Sequence, residues 1–182
     1  MSYPPQRSAE YIRALHKLCQ FLILNTNNMG IMVEVGSFAG ESTKVYSEYF
    51  ETVFAVDPWI PQLNHPNYRP DGSDVFGAEE HFDLIFKDSF VVQKLKMKSE
   101  DAYSRFEDES LDFVYLDGLH DYDSVAQDIK LWYPKVKPGS HIGGHDYLTV
   151  FPGVIKAVNE FFGEKMKDVV FFEDTSWLIK KL

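Results

Sequence analysis

The sequence predicts an α/β fold: a three-layer sandwich whose mostly parallel seven-stranded sheet lies between helices and ends in a C-terminal antiparallel hairpin. Three observations carry this. From Ile31 onward, short β-branched and aromatic runs alternate with stretches of helical periodicity, as in successive strand–helix–strand units. Val33 to Thr43 reads as a strand, a glycine turn and a helix start, and Asp57 closes the strand that follows. The last two apolar runs are joined only by Glu173 to Ser176, too short for a crossover helix.

The elements follow in order. Arg7 to Leu24 carries Ile12, Leu15, Leu18, Cys19 and Leu22 at helical spacing. Ile31 to Val35 is a buried strand ending at Gly36; Glu41 to Phe50 is a helix, and Thr52 to Val56 a second strand ending at Asp57. Trp59 to Asp74, rich in Pro, Asn and Gly, is an irregular segment of the length that functional loops have. Val75 to Lys87 is a helix, Val91 to Met97 a third strand, and Ser99 caps a helix running to about Phe106. Leu111 to Leu116 is a fourth strand leading into Asp117-Gly118, and Tyr122 to Tyr133 a helix with Val125, Ile129 and Trp132 on one side. Lys137 to Ser140 is a turn before a fifth strand, through Ile142 to about His145. Val154 to Phe162 is a helix, and Val169 to Phe172 with Trp177 to Lys180 form the hairpin.

The 182 residues suffice for one domain with a well-buried core, a helical segment over 1–30 and an α/β core over 31–182. A net charge of −10, with Lys94, Lys96 and Lys98 the densest basic set, argues against nucleic acid as a partner. No run approaches the roughly 20 apolar residues of a membrane span, and Met1 to Arg7 has no signal-peptide core. The expectation is a soluble, cytoplasmic protein without a membrane partner. The one cysteine, Cys19, forms neither a disulfide nor a thiolate metal site within the chain and falls on a helix's apolar face.

The stretch Val33-Glu34-Val35-Gly36-Ser37-Phe38-Ala39-Gly40-Glu41-Ser42-Thr43 turns backbone N–H groups toward a ligand. Asp57, 21 residues beyond Gly36, is placed to grip ribose hydroxyls. A dinucleotide site needs a second glycine where this chain has Phe38, so a cofactor without pyrophosphate fits better, and S-adenosylmethionine is one. Gly36 and Gly40 also have a plainer reading, as residues of a tight turn.

Four further stretches carry the comparison along with this one: Val56-Asp57-Pro58-Trp59, Leu111 to His120, Trp132 to Gly139 and Gly144-His145-Asp146-Tyr147. With them the chain resembles the class I S-adenosylmethionine-dependent methyltransferases, and among these the small stand-alone enzymes of the macrocin O-methyltransferase type, from residue 31 to about 162. The resemblance implies a Rossmann-like domain. It places Glu34 near the cofactor's ammonium, Gly36 under the cofactor, and Asp57 on the ribose hydroxyls. Ser37, Phe38, Gly40, Ser42, Pro58 and Trp59 fall in the same cofactor-binding segments; Ser99 and Glu100 fall at the adenine, and Asp117, Gly118 and His120 beside the sulfonium. Ser99 is equally a simple helix cap, and Trp59 equally a core residue.

Methyl transfer from a sulfonium is an in-line displacement that needs alignment more than activation. A hydroxyl acceptor also has to lose its proton, to a base or with a metal's help. His120 is the candidate base and Asp117 its catalytic neighbour, although His120 also reads as a helix-entry residue beside Asp121. Metal-dependent relatives imply a divalent ion such as magnesium at Asp117, His145 and Asp146, and a histidine there shifts the preference toward transition metals. Asp146 reads equally as a loop-ordering residue and His145 as a core histidine. Trp59, Tyr68 and Tyr147 are candidate acceptor walls, while His16, His65, His81 and His141 are structural. The function expected is methylation, first of all O-methylation, of a small-molecule acceptor. The alternatives are a non-catalytic cofactor-binding or scaffold protein and, less favoured, a nucleotide- or NAD-dependent enzyme. With no appended lid domain, the pocket is either open or completed by a second subunit of a homo-oligomer.

Overall fold

The structure, a computed structural model, describes residues 4–26, 28–61 and 73–182, the last from its backbone alone over 73–76. Helix α1 (Ala9–Asn25) leads into β1 (Ile31–Val35), α2 (Glu41–Tyr46), β2 (Thr52–Asp57), α3 (Ser73–Phe86) and β3 (Val92–Lys96). Then come α4 (Ser99–Ala102), β4 (Leu111–Leu116), α5 (Tyr122–Trp132), β5 (Val136–Gly144), α6 (Pro152–Phe162), β6 (Val170–Phe171) and β7 (Trp177–Lys180). The seven-stranded sheet has the order β3-β2-β1-β4-β5-β7-β6; the first five strands are parallel, and β7 is antiparallel to both neighbours. The expected fold class and hairpin are therefore present, with β6 only two residues long.

Strand alternation sends β1 and β4 side chains to two separate cores. Val33, Val35, Val114 and Leu116 face Ile129, Trp132 and Val158 of α5 and α6. Met32, Phe113 and Tyr115 face Leu15, Leu18 and Leu22 of α1, with Tyr46 and Phe82 from α2 and α3. Each of those three leucines is fully buried, which stabilises the fold by roughly 1.5–3 kcal/mol apiece. Ser8 starts α1 as its N-cap, its hydroxyl accepting from the Tyr11 N–H at 3.2 Å. Cys19 is fully buried in this layer, and burial pushes its thiol far up from its usual range. No described helix is long and apolar enough to cross a membrane.

Three local expectations are corrected. Helix α2 stops at Tyr46, four residues before Phe50. Lys137 to Ser140 is not a turn ahead of a strand but an irregularity inside β5: Leu111 pairs with Val136 and Phe113 with His141. The extra β5 residues are taken up around Gly139, at φ +81°, whose N–H bonds the Lys181 carbonyl at 2.7 Å. Ser99 does not cap α4: Lys98 holds the cap position, and α4 is a single turn continued by a 3₁₀ turn over Tyr103–Arg105.

Candidate functional site

Parallel register assembles the site. Val35 pairs with Val56 and with Leu116, and Leu116 pairs with Gly144, so the residues next in sequence emerge side by side at the sheet's carboxyl edge. Those residues are Gly36, Asp57, Asp117 and His145. They border a cleft of about 1280 Å³, larger than the roughly 300–1,000 Å³ of a pocket for one drug-sized ligand, leaving room for a cofactor and an acceptor together.

Gly36 lies at φ +88°, and a Cβ on it would overlap the Asp117 carbonyl. Only glycine lets the ends of β1 and β4 approach so closely. Glu34 is fully buried; its Oε2 takes the Thr43 hydroxyl, while its Oε1 has no hydrogen-bond partner. Burial pushes the Glu34 carboxyl up to about 7, against hydrogen bonds from Ser42 and Thr43. Glu34 does not itself line the cleft, although its neighbour Val35 does, and a buried acceptor left unsatisfied just beneath the cleft suits a cationic ligand group such as an ammonium.

Asp57 accepts the Phe38 N–H on Oδ2 at 3.0 Å and the Trp59 N–H on Oδ1 at 2.7 Å. Phe38 and Trp59 both have positive φ, +43° and +45°, conformations that cost a side-chain-bearing residue energy and that these two bonds hold in place. Burial raises the Asp57 carboxyl from its ordinary value, and the two N–H groups work against that. Ser37, Phe38, Gly40, Ser42, Pro58, Ser99, Glu100 and Gly118 all line the cleft. Trp59 does not: it is 1% exposed, packed against Phe82 and bonded through Nε1 to the Phe38 carbonyl, a core residue rather than a cofactor wall. The hydroxyl of Ser99, free of any capping duty, donates to Asp128 and accepts from Trp132 Nε1 at 2.8 Å.

At the other end of the cleft, His120 Nε2 is 2.8 Å from Asp146 Oδ2, and His145 Nδ1 is 3.1 Å from Asp146 Oδ1. Burial alone would raise Asp146, but bonds from the two imidazoles hold its carboxyl well below the usual range. Burial works to lower His120, and Asp146 outweighs it and raises the imidazole. The ligand atoms of Asp117, His120 and Asp146 all lie within 4.8 Å of one another. His145, the expected ligand, has both ring nitrogens engaged: Nδ1 faces Asp146 and lies 3.6 Å from Asp117 Oδ1, while Nε2 is 3.1 Å from Arg7 Nη1, which only donates, so Nε2 is the acceptor. The set that converges is therefore Asp117, His120 and Asp146, with His120 in the place expected of His145.

Arg7 was not singled out by any motif. Its guanidinium pairs with Asp117 Oδ2, and its N–H, with that of Gln6, donates to the Glu41 carboxylate at 2.8 and 2.9 Å. Residues just before α1 thus form a wall of the cleft, from this same chain. Asp128 was also missed. It sits on α5 eleven residues after Asp117, and the only sequence signal was an acid on the inward side of a helix. Tyr147 points away from the cleft, donating its hydroxyl to Asn159 at 2.8 Å and packing on Phe171. Tyr68 and His65 lie outside the described residues. His16 meets the Tyr49 hydroxyl at 2.8 Å, and His141 is buried in the sheet, both structural. Lys94 and Lys96 are held by Glu79 and Asp83 and form no basic patch.

A family model described as a methyltransferase domain matches residues 33–147. No curated protein matches the chain in sequence. Among solved structures, the O-methyltransferase NovP superposes with a TM-score of 0.70 at 19% identity, over 94% of this chain and 79% of its own. SMU.1697c from Streptococcus mutans, solved in complex with SAH, gives 0.65 at 15% identity over 93% and 98%. A Streptococcus thermophilus rRNA methylase gives 0.63 at 14% identity over 93% and 98%. At these identities the three superpositions report the shared fold.

Proposed function

The chain belongs to the methyltransferase-domain family and is an S-adenosylmethionine-dependent methyltransferase; on that premise we propose that it methylates a hydroxyl of a small-molecule acceptor with His120 as the base. The single observation that carries this is the 2.8 Å pair between His120 Nε2 and Asp146 Oδ2, in the cleft beside Asp117. The scaffold and NAD-dependent alternatives fall to the family match.

S-adenosylmethionine supplies, when bound, a methyl group that needs no further activation. Glu34 offers its unsatisfied Oε1 to the ammonium, and Asp57, whose oxygens each keep a second lone pair, offers them to the ribose hydroxyls. The bond to Asp146 fixes the His120 proton on Nε2, so the basic lone pair is on Nδ1. His120 Nδ1 would take the proton of the acceptor hydroxyl as its oxygen displaces sulfur from the methyl carbon, S-adenosylhomocysteine being the leaving group, and Asp146 would balance the imidazolium that results. Phe151, whose ring centre is 4.5 Å from that of His120, gives this end of the cleft an apolar side.

Methyl transfer from labelled S-adenosylmethionine to a panel of phenols, sugars and hydroxylated metabolites tests the proposal, with the methylated atom located by NMR. His120→Ala is expected to remove most turnover while leaving S-adenosylhomocysteine affinity nearly unchanged. Full turnover in that variant, or a methyl group found on nitrogen or carbon, would replace this reading.

The convergence of Asp117, His120 and Asp146 supports a second reading. Two carboxylates and an imidazole at that spacing fit a divalent ion, with the nitrogen favouring a transition metal over magnesium. These three residues would hold it, and it would supply Lewis-acid polarisation of the acceptor oxygen. His120 cannot serve as ligand and base at once, so the readings exclude each other. Turnover that survives a chelator supports the base; turnover lost to it and restored by manganese supports the ion. The guanidinium on Asp117 favours the base, because it already supplies positive charge to that carboxylate.

A further inference from the structure

Asp128 has no part in the chemistry above, yet it is a carboxylate only 9% exposed in the wall of the cleft. No cation pairs with it among the described residues. Its Oδ1 takes the Ser99 hydroxyl, whose own acceptor side is filled by Trp132 Nε1, so the chain Trp132–Ser99–Asp128 orients the carboxylate rigidly. Its Oδ2 makes no hydrogen bond among the described residues. That oxygen lies toward Gly118, where a Cβ would come no nearer than 3.7 Å, so no side chain at that position stands between it and the cleft. Burial, with Glu100 and Asp121 adding to it, pushes the carboxyl up to about 6. Holding a carboxylate there is costly unless some donor completes it.

The position of that donor follows from the register. β2 ends at Asp57, which is paired with Lys96 of β3, and Ser99 lies three residues further on. A ligand with its ribose on Asp57 and its methionine end at Glu34 therefore brings its base to the space bounded by Ser99, Gly118 and Asp128. The adenine edge carries one donor group, the 6-amino, among ring-nitrogen acceptors.

We propose that Asp128 reads the adenine of the cofactor: Oδ2 accepts a hydrogen bond from the 6-amino group while Ser99 fixes Oδ1. This rests on the S-adenosylmethionine reading. Asp128 is then a specificity-determining residue that selects 6-amino purines, and the hydroxyl of Ser99 acts through it rather than on the base directly.

The test is a cycle of two ligands and two proteins, read by calorimetry. The ligands are S-adenosylhomocysteine and its analogue with purine in place of adenine; the proteins are the wild type and Asp128→Ala. The wild type is expected to prefer the 6-amino ligand by about 10- to 100-fold, the range of a hydrogen bond to a charged group. In Asp128→Ala the preference is expected to shrink to about threefold or less, on the same basis. A merely structural Asp128 would weaken both ligands alike and leave the ratio unchanged, and that result overturns the proposal. So does a wild type that binds both ligands equally. If Asp128→Ala does not fold, Asp128→Ser, which keeps a polar group beside Ser99, takes its place. Absence of S-adenosylhomocysteine binding to the wild type would sink the cofactor reading and this proposal with it, whereas binding with an unchanged ratio sinks the Asp128 assignment alone.

Discussion

Arg7 and Asp117, 110 positions apart in the chain, form an ion pair within the cleft, with side chains only 13% and 10% exposed. Removing the cation leaves Asp117 beside Asp146 and a partly satisfied His145. Breaking a buried pair from one side costs about 3–5 kcal/mol, so Arg7→Ala is expected to lose stability on that scale in urea denaturation. Adding Asp117→Asn to Arg7→Ala is expected to restore part of the loss. Additive losses in the double variant would show that the pair contributes nothing.

Asp146 combines an unusual backbone with a chemical role. Its φ is +60°, a conformation that asparagine tolerates well, so Asp146→Asn preserves the turn while removing the charge that faces His120 and His145. Turnover is expected to fall by about 100-fold, the lower end of what a positioned acid–base pair contributes. The S-adenosylhomocysteine dissociation constant is expected to stay within about threefold, well short of the loss of a charged hydrogen bond. A variant as active as the wild type would remove the dyad from the mechanism.

Two glycines with similar backbones should respond very differently. Gly36 at φ +88° faces the backbone of Asp117 and Gly118, whereas Gly139 at φ +81° has nothing within 4 Å of the point a Cβ would occupy. Gly139→Ala is expected to cost only the conformational term, on the order of 1 kcal/mol. Gly36→Ala adds a backbone collision between β1 and β4, and is expected to abolish S-adenosylhomocysteine binding and to cost several times as much in thermal denaturation. Equal costs would mean that the close approach at Gly36 is easily relaxed.

His141 gives a pH dependence with a definite sign. Burial, with Lys180 adding to it, holds its imidazole down at about 4, and its Nδ1 has no partner. The unfolded chain therefore binds the proton more readily between about pH 6.5 and 4. Stability is expected to fall as pH drops through that window, by up to about 3 kcal/mol from this residue. Asp128 and Glu34, raised to about 6 and about 7, act in the opposite sense, so the difference between wild type and His141→Gln is the measurement to make. A difference that stays flat from pH 7 to 4 would contradict the assignment.

The strand pattern was legible in the sequence because parallel strands buried on both faces are nearly continuous apolar runs, and Leu111 to Leu116 is buried throughout. The edge residues Gly36, Asp57 and Asp117 were legible for a related reason: each directly follows or ends such a run. Gly139 misled because a glycine after a proline marks a bend in either a turn or a strand irregularity, and only the pairing with β4 distinguishes them. Trp59 misled because proximity in sequence to Asp57 says nothing about which way an indole turns. Arg7 and Asp128 were invisible for the same physical cause. Each reaches the cleft from a helix or its approach, through contacts across 110 and 29 positions, and no local spacing encodes such a contact.

The layer that α1 builds against the sheet also has a consequence for synthesis. Leu15, Leu18, Cys19 and Leu22 leave the ribosome well before Leu178 of β7, which belongs to the layer that covers them. Lys17 likewise waits for Glu173, and the Asn25 carbonyl for Lys180. Until then an apolar helix face remains incompletely covered on a nascent chain whose central strands are already pairing. Such surface invites misassociation, so production of this protein should depend on chaperone capacity and translation rate more than its finished stability would suggest.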